Sequence, residues 1–334
     1  MCCDSTALYS EDQITKEDQS KALNIVEAFL QLKTTKDEQQ ALEGIRSLGL
    51  VREHMPTELL NSTNIWKALL KKMPMTAMIR NLGKMQSIDM LNGEHEARVI
   101  QNLTDPVKLK SARIHPISVL LAKATYDKGR GEKGSLSWKP KESISAALED
   151  AFYKAFVNVQ PTGKRFCLAF DISGSMTWDG ISGTCIMPRE AAAAVGLVTI
   201  KTEPHVECMA FAHTFDELPY DENWTLKQIL EDMDGRSYGM TDCSLPMIWA
   251  KEKKKQFDVF VVYTDCETYC GKVHPFEALR AYRESSGIDA RLVVLGMTAT
   301  NFTIADPSDA GMLDVVGFDS AVPELVSRFV LGEI

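Results

Sequence analysis

Along the first half of the chain, apolar residues recur every three or four positions in short runs separated by polar breaks. Between Glu17 and Lys33, the residues Ala22, Leu23, Ile25, Val26, Ala28, Phe29, Leu30 and Leu32 make a broad apolar face at helical spacing. The same periodicity predicts helices over Glu38–Leu48, Thr57–Leu60, Thr63–Lys72, Met75–Leu82, Glu94–Leu103, Ile117–Tyr126 and Ser143–Phe156. Pro56 and Pro74 stand beside helix starts, and Gly49 and Gly83 follow helical runs as C-terminal caps would. Short successive helices without a strand signal suggest antiparallel pairs stacked as a HEAT-like solenoid, although no clean sequence period accompanies them.

Near residue 160 the pattern changes. The turn Pro161-Thr-Gly-Lys-Arg165 launches Phe166-Cys-Leu-Ala-Phe170, an unbroken apolar run of the kind found in a central strand of a parallel sheet, where both faces are covered. Further strands are predicted over Val206–Phe211, Phe257–Tyr263, Arg291–Leu295 and Leu313–Val316. Helices are predicted over Pro188–Lys201, Trp224–Met233, Leu245–Lys255, Phe276–Ser285 and Ala321–Val330. Strands alternating with helices indicate a doubly wound α/β sheet. The 334 residues therefore read as two domains, a helical one over 1–160 and an α/β one over 161–334.

The first strand stops at Asp171-Ile-Ser173-Gly-Ser175. In open α/β sheets, ligands sit outside the carboxyl ends of the strands, so these side chains fall where sites are built. One carboxylate with two hydroxyls offers an all-oxygen surface of low charge, suited to a hard cation such as Mg²⁺. The same residues equally suit a polar turn that satisfies free backbone N–H groups, and by themselves they leave both readings open. Two later stretches bear on the choice: the loop Gly239-Met-Thr241-Asp-Cys-Ser244, and a second buried strand ending in Thr264-Asp265. In this order the three loops resemble the metal-ion-dependent adhesion site (MIDAS) of von Willebrand factor A domains. That resemblance implies Ser173, Ser175 and Thr241 as direct ligands of Mg²⁺ or another divalent cation, with Asp171 and Asp265 holding it directly or through water.

Charge is unevenly distributed. Residues 1–160 carry 22 Lys and Arg against 20 Asp and Glu, whereas residues 161–334 carry 15 against 26, a net of −11. Within the first half, residues 51–160 hold 17 basic and 11 acidic side chains, so the basic character gathers beside the domain junction. The loop from Lys128 to Lys141 combines glycines and cations with Trp138, a composition that fits phosphate neutralisation and base stacking, or a solvated loop whose Trp packs inward. From charge and neighbourhood, Arg80, Lys84, Lys110, Arg113, His115, Lys128, Arg130 and Lys133 are the candidate phosphate contacts.

Catalytic motifs are missing. Asp171-Ile-Ser matches neither the aspartic-protease nor the phosphoaspartate pattern, and there is no Gly-x-Ser-x-Gly elbow or P-loop. The histidines have no Ser or Cys partner at a recognisable spacing, so a binding protein is expected and not an enzyme. Cys266 and Cys270 flank no second Cys or His pair, which argues against zinc, and the 8 cysteines read as reduced thiols. The first residues lack a basic then apolar run, so no signal peptide is expected, and no apolar stretch is long enough for a membrane helix.

Several segments resemble the Ro ribonucleoprotein family, whose members carry a TROVE domain. They are Val51–His54, Trp66–Leu70, Met73–Met85, Ala112–Pro116, Pro161–Phe166, Gly239–Trp249 and the stretch from Gly296 to Pro307. The resemblance implies helical repeats joined to a von Willebrand A domain, non-catalytic binding of small noncoding (Y-type) and misfolded RNA, and a role in RNA stability and quality control in cytoplasm and nucleus. No membrane or DNA partner is implied. It also implies that N-terminal repeats are lacking, and with them the main Y RNA contacts. At Met240 the family usually has a second Gly. From another functional class, the alternative is a metal-dependent protein-interaction module, in which a partner's carboxylate completes the coordination sphere.

Overall fold

The computed structural model describes residues 16–132, 134–178, 180–236, 239–265, 270–298 and 303–334. The chain forms two compact units, one of residues 1–101 with 136–139 and one of residues 102–135 with 140–334.

The first unit is helical: α1 (Lys16–Thr35), α2 (Glu38–Ser47), α3 (Thr63–Leu70), α4 (Met75–Arg80), α5 (Leu82–Ser87) and α6 (Glu94–Leu103), the last running two residues past its edge. Side-chain oxygens set the helix starts. Asp37 Oδ1 accepts from the N–H groups of Gln39 and Gln40 at 2.7 and 3.1 Å, and Ser62 Oγ accepts from Asn64 N at 3.2 Å while donating to Glu38 Oε1 at 2.9 Å. Ile65, Trp66, Met85, Leu91 and Val99 are wholly buried, and the Trp66 indole N–H donates to the Leu60 carbonyl at 2.8 Å. The single helix expected over Met75–Leu82 is broken at Asn81, whose Nδ2 donates to the Ala77 carbonyl at 2.7 Å and competes with the backbone ladder. Gly49 ends α2 with a positive φ of 71°, as expected of a cap. Gly83 is not a cap: it lies inside α5, where a Cβ would come within 2.6 Å of the Trp138 ring. Of the two readings of Trp138, the packed one therefore holds, with one ring face against this glycine.

The second unit begins with three helices, α7 (Pro106–Ser111), α8 (Pro116–Lys128) and α9 (Glu142–Lys154). Only six residues long, α7 was too short to leave a periodic signal; it starts at Asp105, whose Oδ1 accepts from Val107 N at 2.9 Å. After α9, Asn158 Nδ2 donates to the carbonyls of Leu109 at 3.1 Å and Ile114 at 2.8 Å, while the Tyr153 hydroxyl accepts from Leu226 N at 3.1 Å. These bonds tie α7 to α9 into the unit that holds the sheet. The boundary expected near residue 160 thus marks where strands begin, at Arg165, and the packing divides at residue 101.

The sheet contains β1 (Arg165–Asp171), β2 (His205–Phe211), β3 (Phe215–Leu218), β4 (Val259–Thr264), β5 (Arg291–Gly296) and β6 (Met312–Val316), in the order β3-β2-β1-β4-β5-β6. All neighbours are parallel except β3, a four-residue edge strand antiparallel to β2 that the sequence did not announce. Around it run α10 (Pro188–Thr202), α11 (Leu226–Asp234), α12 (Leu245–Glu252), α13 (Pro275–Ser286) and α14 (Val322–Leu331). On one face Cys167, Ala169, Phe211, Phe260 and Val262 pack with Met247 of α12 and Leu279 and Tyr282 of α13. On the other, Phe170 stacks on Tyr263, its partner across β1 and β4, with ring centroids 4.8 Å apart. Burial on both faces explains why β1 and β4 read as unbroken apolar runs. Because β2 lies on one side of β1 and β4 on the other, the strand order reverses there, opening a crevice at the carboxyl ends of β1 and β4.

His115 precedes α8 and caps it, with Nδ1 accepting from Ile117 N at 3.2 Å. Burial lowers its pKa from 6.5 to about 4, against a small opposing effect of Glu324. The folded value lies below the unfolded one, so its stabilising contribution is complete above about pH 6.5 and is lost as the pH falls toward 4. Urea unfolding at pH 7 and pH 4.5 should show a loss on the order of 2 kcal/mol from this group, and His115→Asn, which keeps a capping acceptor but cannot titrate, should flatten that window.

Candidate functional site

The crevice is lined by the ends of β1 and β4 and by the loop before α12. Asp171, the last residue of β1, is 1% exposed, and its carboxylate is used on both sides. Oδ1 accepts from the N–H of Ser173 at 2.8 Å, which folds the chain back into the Asp-x-Ser-x-Ser loop. Oδ2 accepts from the hydroxyl of Thr264 at 2.8 Å, which fastens the end of β1 to the end of β4. The hydroxyls of Ser173 and Ser175 lie 3.0 Å apart. A short 3₁₀ turn over Gly174–Thr177 follows, closed by Thr177 Oγ1 donating to the Gly174 carbonyl at 2.8 Å.

The other two loops approach from β2 and β4. Asp242 N donates to the Ala212 carbonyl at 3.0 Å, which seats the Thr241 loop beside the end of β2, and Cys270 N donates to the Thr241 carbonyl at 3.2 Å. Thr241 is 3% exposed and Asp265 8%. Thr298 Oγ1 donates to the Asp265 carbonyl at 3.1 Å, and Met297 N to that of Thr264 at 2.9 Å, so the loop after β5 steadies the end of β4.

Electrostatically the site is short of positive charge. Burial pushes the Asp171 carboxyl up to about 6; hydrogen bonds from Ser173 and Thr264 oppose this, and the negative charge of Asp265 adds to it. Among the described residues, the buried Asp265 Oδ1 has no hydrogen-bond partner. A buried carboxylate oxygen left unpaired is costly, and a bound cation is one of the few arrangements that would satisfy it. Among the described residues, no three His, Cys, Asp or Glu side chains converge as a metal cage. Any cation here would therefore rely on hydroxyls and water, the donor set of Ser173, Ser175 and Thr241 beside Asp171 and Asp265. These five residues come from three loops that the sheet brings to one end.

Sequence reasoning passed over three supporting residues. Thr264 is completely buried and holds Asp171. Asp242 Oδ1 accepts from the N–H and hydroxyl of Ser244 at 3.0 and 2.6 Å and so shapes the start of α12. Gly271 has φ 106° and lies against Asp242, where a Cβ would sit 2.7 Å from a carboxylate oxygen. Thr264 and Asp242 stand next to Asp265 and Thr241 in the sequence and could have been found there, but the partner of a glycine is not a local property. Cys266 lies outside the described residues; Cys270 is a free thiol whose pKa is raised by burial and by Asp242.

The candidate phosphate contacts are divided between the two units. In the first, Arg80 is exposed in the last turn of α4, and Lys84 Nζ donates to Asn61 Oδ1 at 2.8 Å. Partial burial, with the charge of Arg52, lowers the pKa of Lys84. In the second unit Lys110, Arg113 and Arg130 are exposed, Arg113 with a positive φ of 51°, while Lys128 pairs with Glu132 at 2.9 Å. His115 is committed to capping α8 and is neutral near pH 7, so it brings no cation. Lys133 lies outside the described residues.

Residues 165–330 match the family model of the Ro60 vWA domain, and residues 4–125 and 122–164 match that of the TROVE domain. The RNA-binding protein RO60 of Caenorhabditis elegans is 50% identical over 328 residues, which are 98% of this chain and 51% of that protein. The RNA-binding protein RO60 of Deinococcus radiodurans is 38% identical over 327 residues, 97% of this chain and 61% of that one. The crystal structure of the Deinococcus radiodurans RO (RSR) protein superposes with a TM-score of 0.89 at 39% identity, covering 96% of this chain and 65% of that one. The chain thus spans from half to just under two thirds of the length of these relatives.

Gly271→Ala should lower stability by about 1–3 kcal/mol through backbone strain alone. Because the neighbouring Cys270 N–H is bonded to the Thr241 carbonyl, the same change should also displace the Thr241 loop. A urea-unfolding midpoint equal to that of the wild type would contradict this.

Proposed function

We propose that this chain, which belongs to the family of TROVE-domain proteins carrying a Ro60-type von Willebrand A domain, is an RNA-binding protein. Its helical half takes small noncoding RNA of the Y type and misfolded noncoding RNA, for RNA stability and quality control in cytoplasm and nucleus. The observation that carries the RNA reading is a set of exposed cations, Arg80, Lys110, Arg113 and Arg130, whose side chains have no carboxylate partner among the described residues. They fall in the stretch of the chain with a net positive charge, whereas residues 161–334 carry a net −11. A polyanion responds to the local sign of charge, so the helical half is where RNA would be held. The support from relatives is that two proteins named as RNA-binding match almost the whole chain. Because the named relatives are RNA-binding proteins and the exposed cations suit a polyanion, binding and not catalysis is the activity proposed.

In this reading the von Willebrand A domain holds Mg²⁺ or a similar divalent cation. Ser173, Ser175 and Thr241 would supply hydroxyl oxygens, and Asp171 and Asp265 the carboxylates. What supports it is the buried oxygen of Asp265, unpaired among the described residues, beside a desolvated Asp171. A bound cation neutralises that pair and leaves a position for an external oxygen donor.

A second use of the same site is favoured by one observation: Trp178 is 76% exposed and Met240 56%, on the loops that carry Ser175 and Thr241. An apolar rim around a cation suits a protein partner whose carboxylate reaches the metal, and the acidity of this half disfavours RNA there.

Two measurements test the proposal. The affinity for a small structured RNA should fall with rising salt, with a slope of roughly 0.7–0.9 per phosphate neutralised; a flat salt dependence would refute phosphate contacts. Millimolar Mg²⁺ should raise the thermal midpoint of the wild type and leave a Ser173→Ala, Asp265→Asn variant unmoved, since only the form that binds is stabilised.

A further inference from the structure

We propose that the groove between α2 and α3 is a binding site for the phosphates of a single-stranded RNA segment; this rests on the RNA-binding reading and assigns it residues. Its cavity, of about 320 Å³, is floored by Leu42 and Ile45 of α2 and rimmed by Arg46, Lys67, Lys71 and Lys72. Among the described residues no carboxylate lines it, and the one amide, Asn64, directs its Nδ2 to Glu38 Oε1 at 3.1 Å.

The four cations are all exposed, and none of their side chains pairs with a carboxylate among the described residues. Other helix lysines of the chain behave differently. Lys123 faces Asp127, Lys154 faces Asp150 and Lys227 faces Glu231, each one helical turn away. One turn from Lys67 stands another lysine, Lys71, and the C-terminal end of α2 brings Arg46 to the same cavity. Like charges at this spacing repel, so the arrangement is relieved by an anion with several charges at regular intervals. A nucleic-acid backbone has that form, and the short apolar floor can take sugar or base edges.

An acidic protein helix is the competing occupant. It would need a row of deep apolar anchors in the groove, as helix-in-groove recognition does, whereas the floor here offers small, shallow apolar contacts beside four cations. These residues escaped the sequence reading because the cations of α2 and α3 are about 20 positions apart in the chain and only the packing of the two helices collects them.

The test uses the full chain and a fluorescently labelled, unstructured polyuridine oligonucleotide, with anisotropy measured across a salt series. The quadruple variant Arg46→Gln, Lys67→Gln, Lys71→Gln, Lys72→Gln should bind about tenfold more weakly or worse, with a salt slope reduced by up to about 3, roughly 0.7 for each phosphate left without its cation. Lys67→Arg, Lys71→Arg, Lys72→Arg should bind as the wild type does. All four positions changed are exposed, and circular dichroism and thermal midpoints close to wild type establish that the variants fold. If the wild type binds and the glutamine variant matches it in affinity and slope, the groove proposal falls and the RNA reading stands. If the arginine variant loses binding as the glutamine one does, shape and not charge is responsible, and the proposal falls. Loss of poly-glutamate binding in the glutamine variant, with RNA binding untouched, would reassign the groove to an acidic protein. A wild type that binds no RNA at any salt would remove the RNA reading itself.

Discussion

The second unit depends on a desolvated carboxylate. Asp171 is almost completely buried, yet its two oxygens accept from Ser173 and from Thr264, so a single side chain both turns the chain out of β1 and clamps β1 to β4. The sheet is continuous up to that point, with Phe170 and Tyr263 stacked one residue earlier on the adjoining strands. Removing water from the carboxyl disfavours its charge, and Asp265 nearby disfavours it further. The hydrogen bonds recover part of that cost. The remainder is the physical reason that the end of the sheet is suited to a cation.

The loops around this carboxylate support one another through backbone bonds. The Thr241 loop is bonded on one side to the end of β2 through Ala212 and on the other to Cys270, and the end of β4 is steadied by Met297 and Thr298. Gly271 permits the closest of these approaches, because no side chain fits between its Cα and Asp242. A site held this way is preorganised by the fold and needs few residues of its own.

The helical unit presents a contrasting kind of chemistry. Its core is apolar and conventional, with Trp66 wholly buried, and at Arg46, Lys67, Lys71 and Lys72 its surface carries cations without a carboxylate partner among the described residues. Residues 51–160, which run across both units, carry a net positive charge, and residues 161–334 a net negative one. The half that would repel RNA is the half with the carboxylate site.

Much of this was legible from residues alone. Burial on both faces erased alternation in β1 and β4 and so announced a parallel sheet, and helical periodicity placed α2, α3, α6, α8 and α10 within a few residues of their observed limits. The strand-end positions of Asp171 and Asp265 followed from where those runs stop. The short elements α7 and β3 were not legible, since six and four residues are too few to establish a period. Nor was the role of His115, whose neutrality comes from burial against the rest of its unit. By itself the sequence determined which segments are strands and helices and which polar residues end them, because those are properties of neighbours in the chain. Only the tertiary structure decided that Thr264 would hold Asp171, that Gly271 would face Asp242 and that Arg46 would join Lys67 and Lys71. Each of these pairings joins groups far apart in the chain, 93 positions in the case of Thr264 and Asp171, and at such separations packing, not local preference, selects the partner.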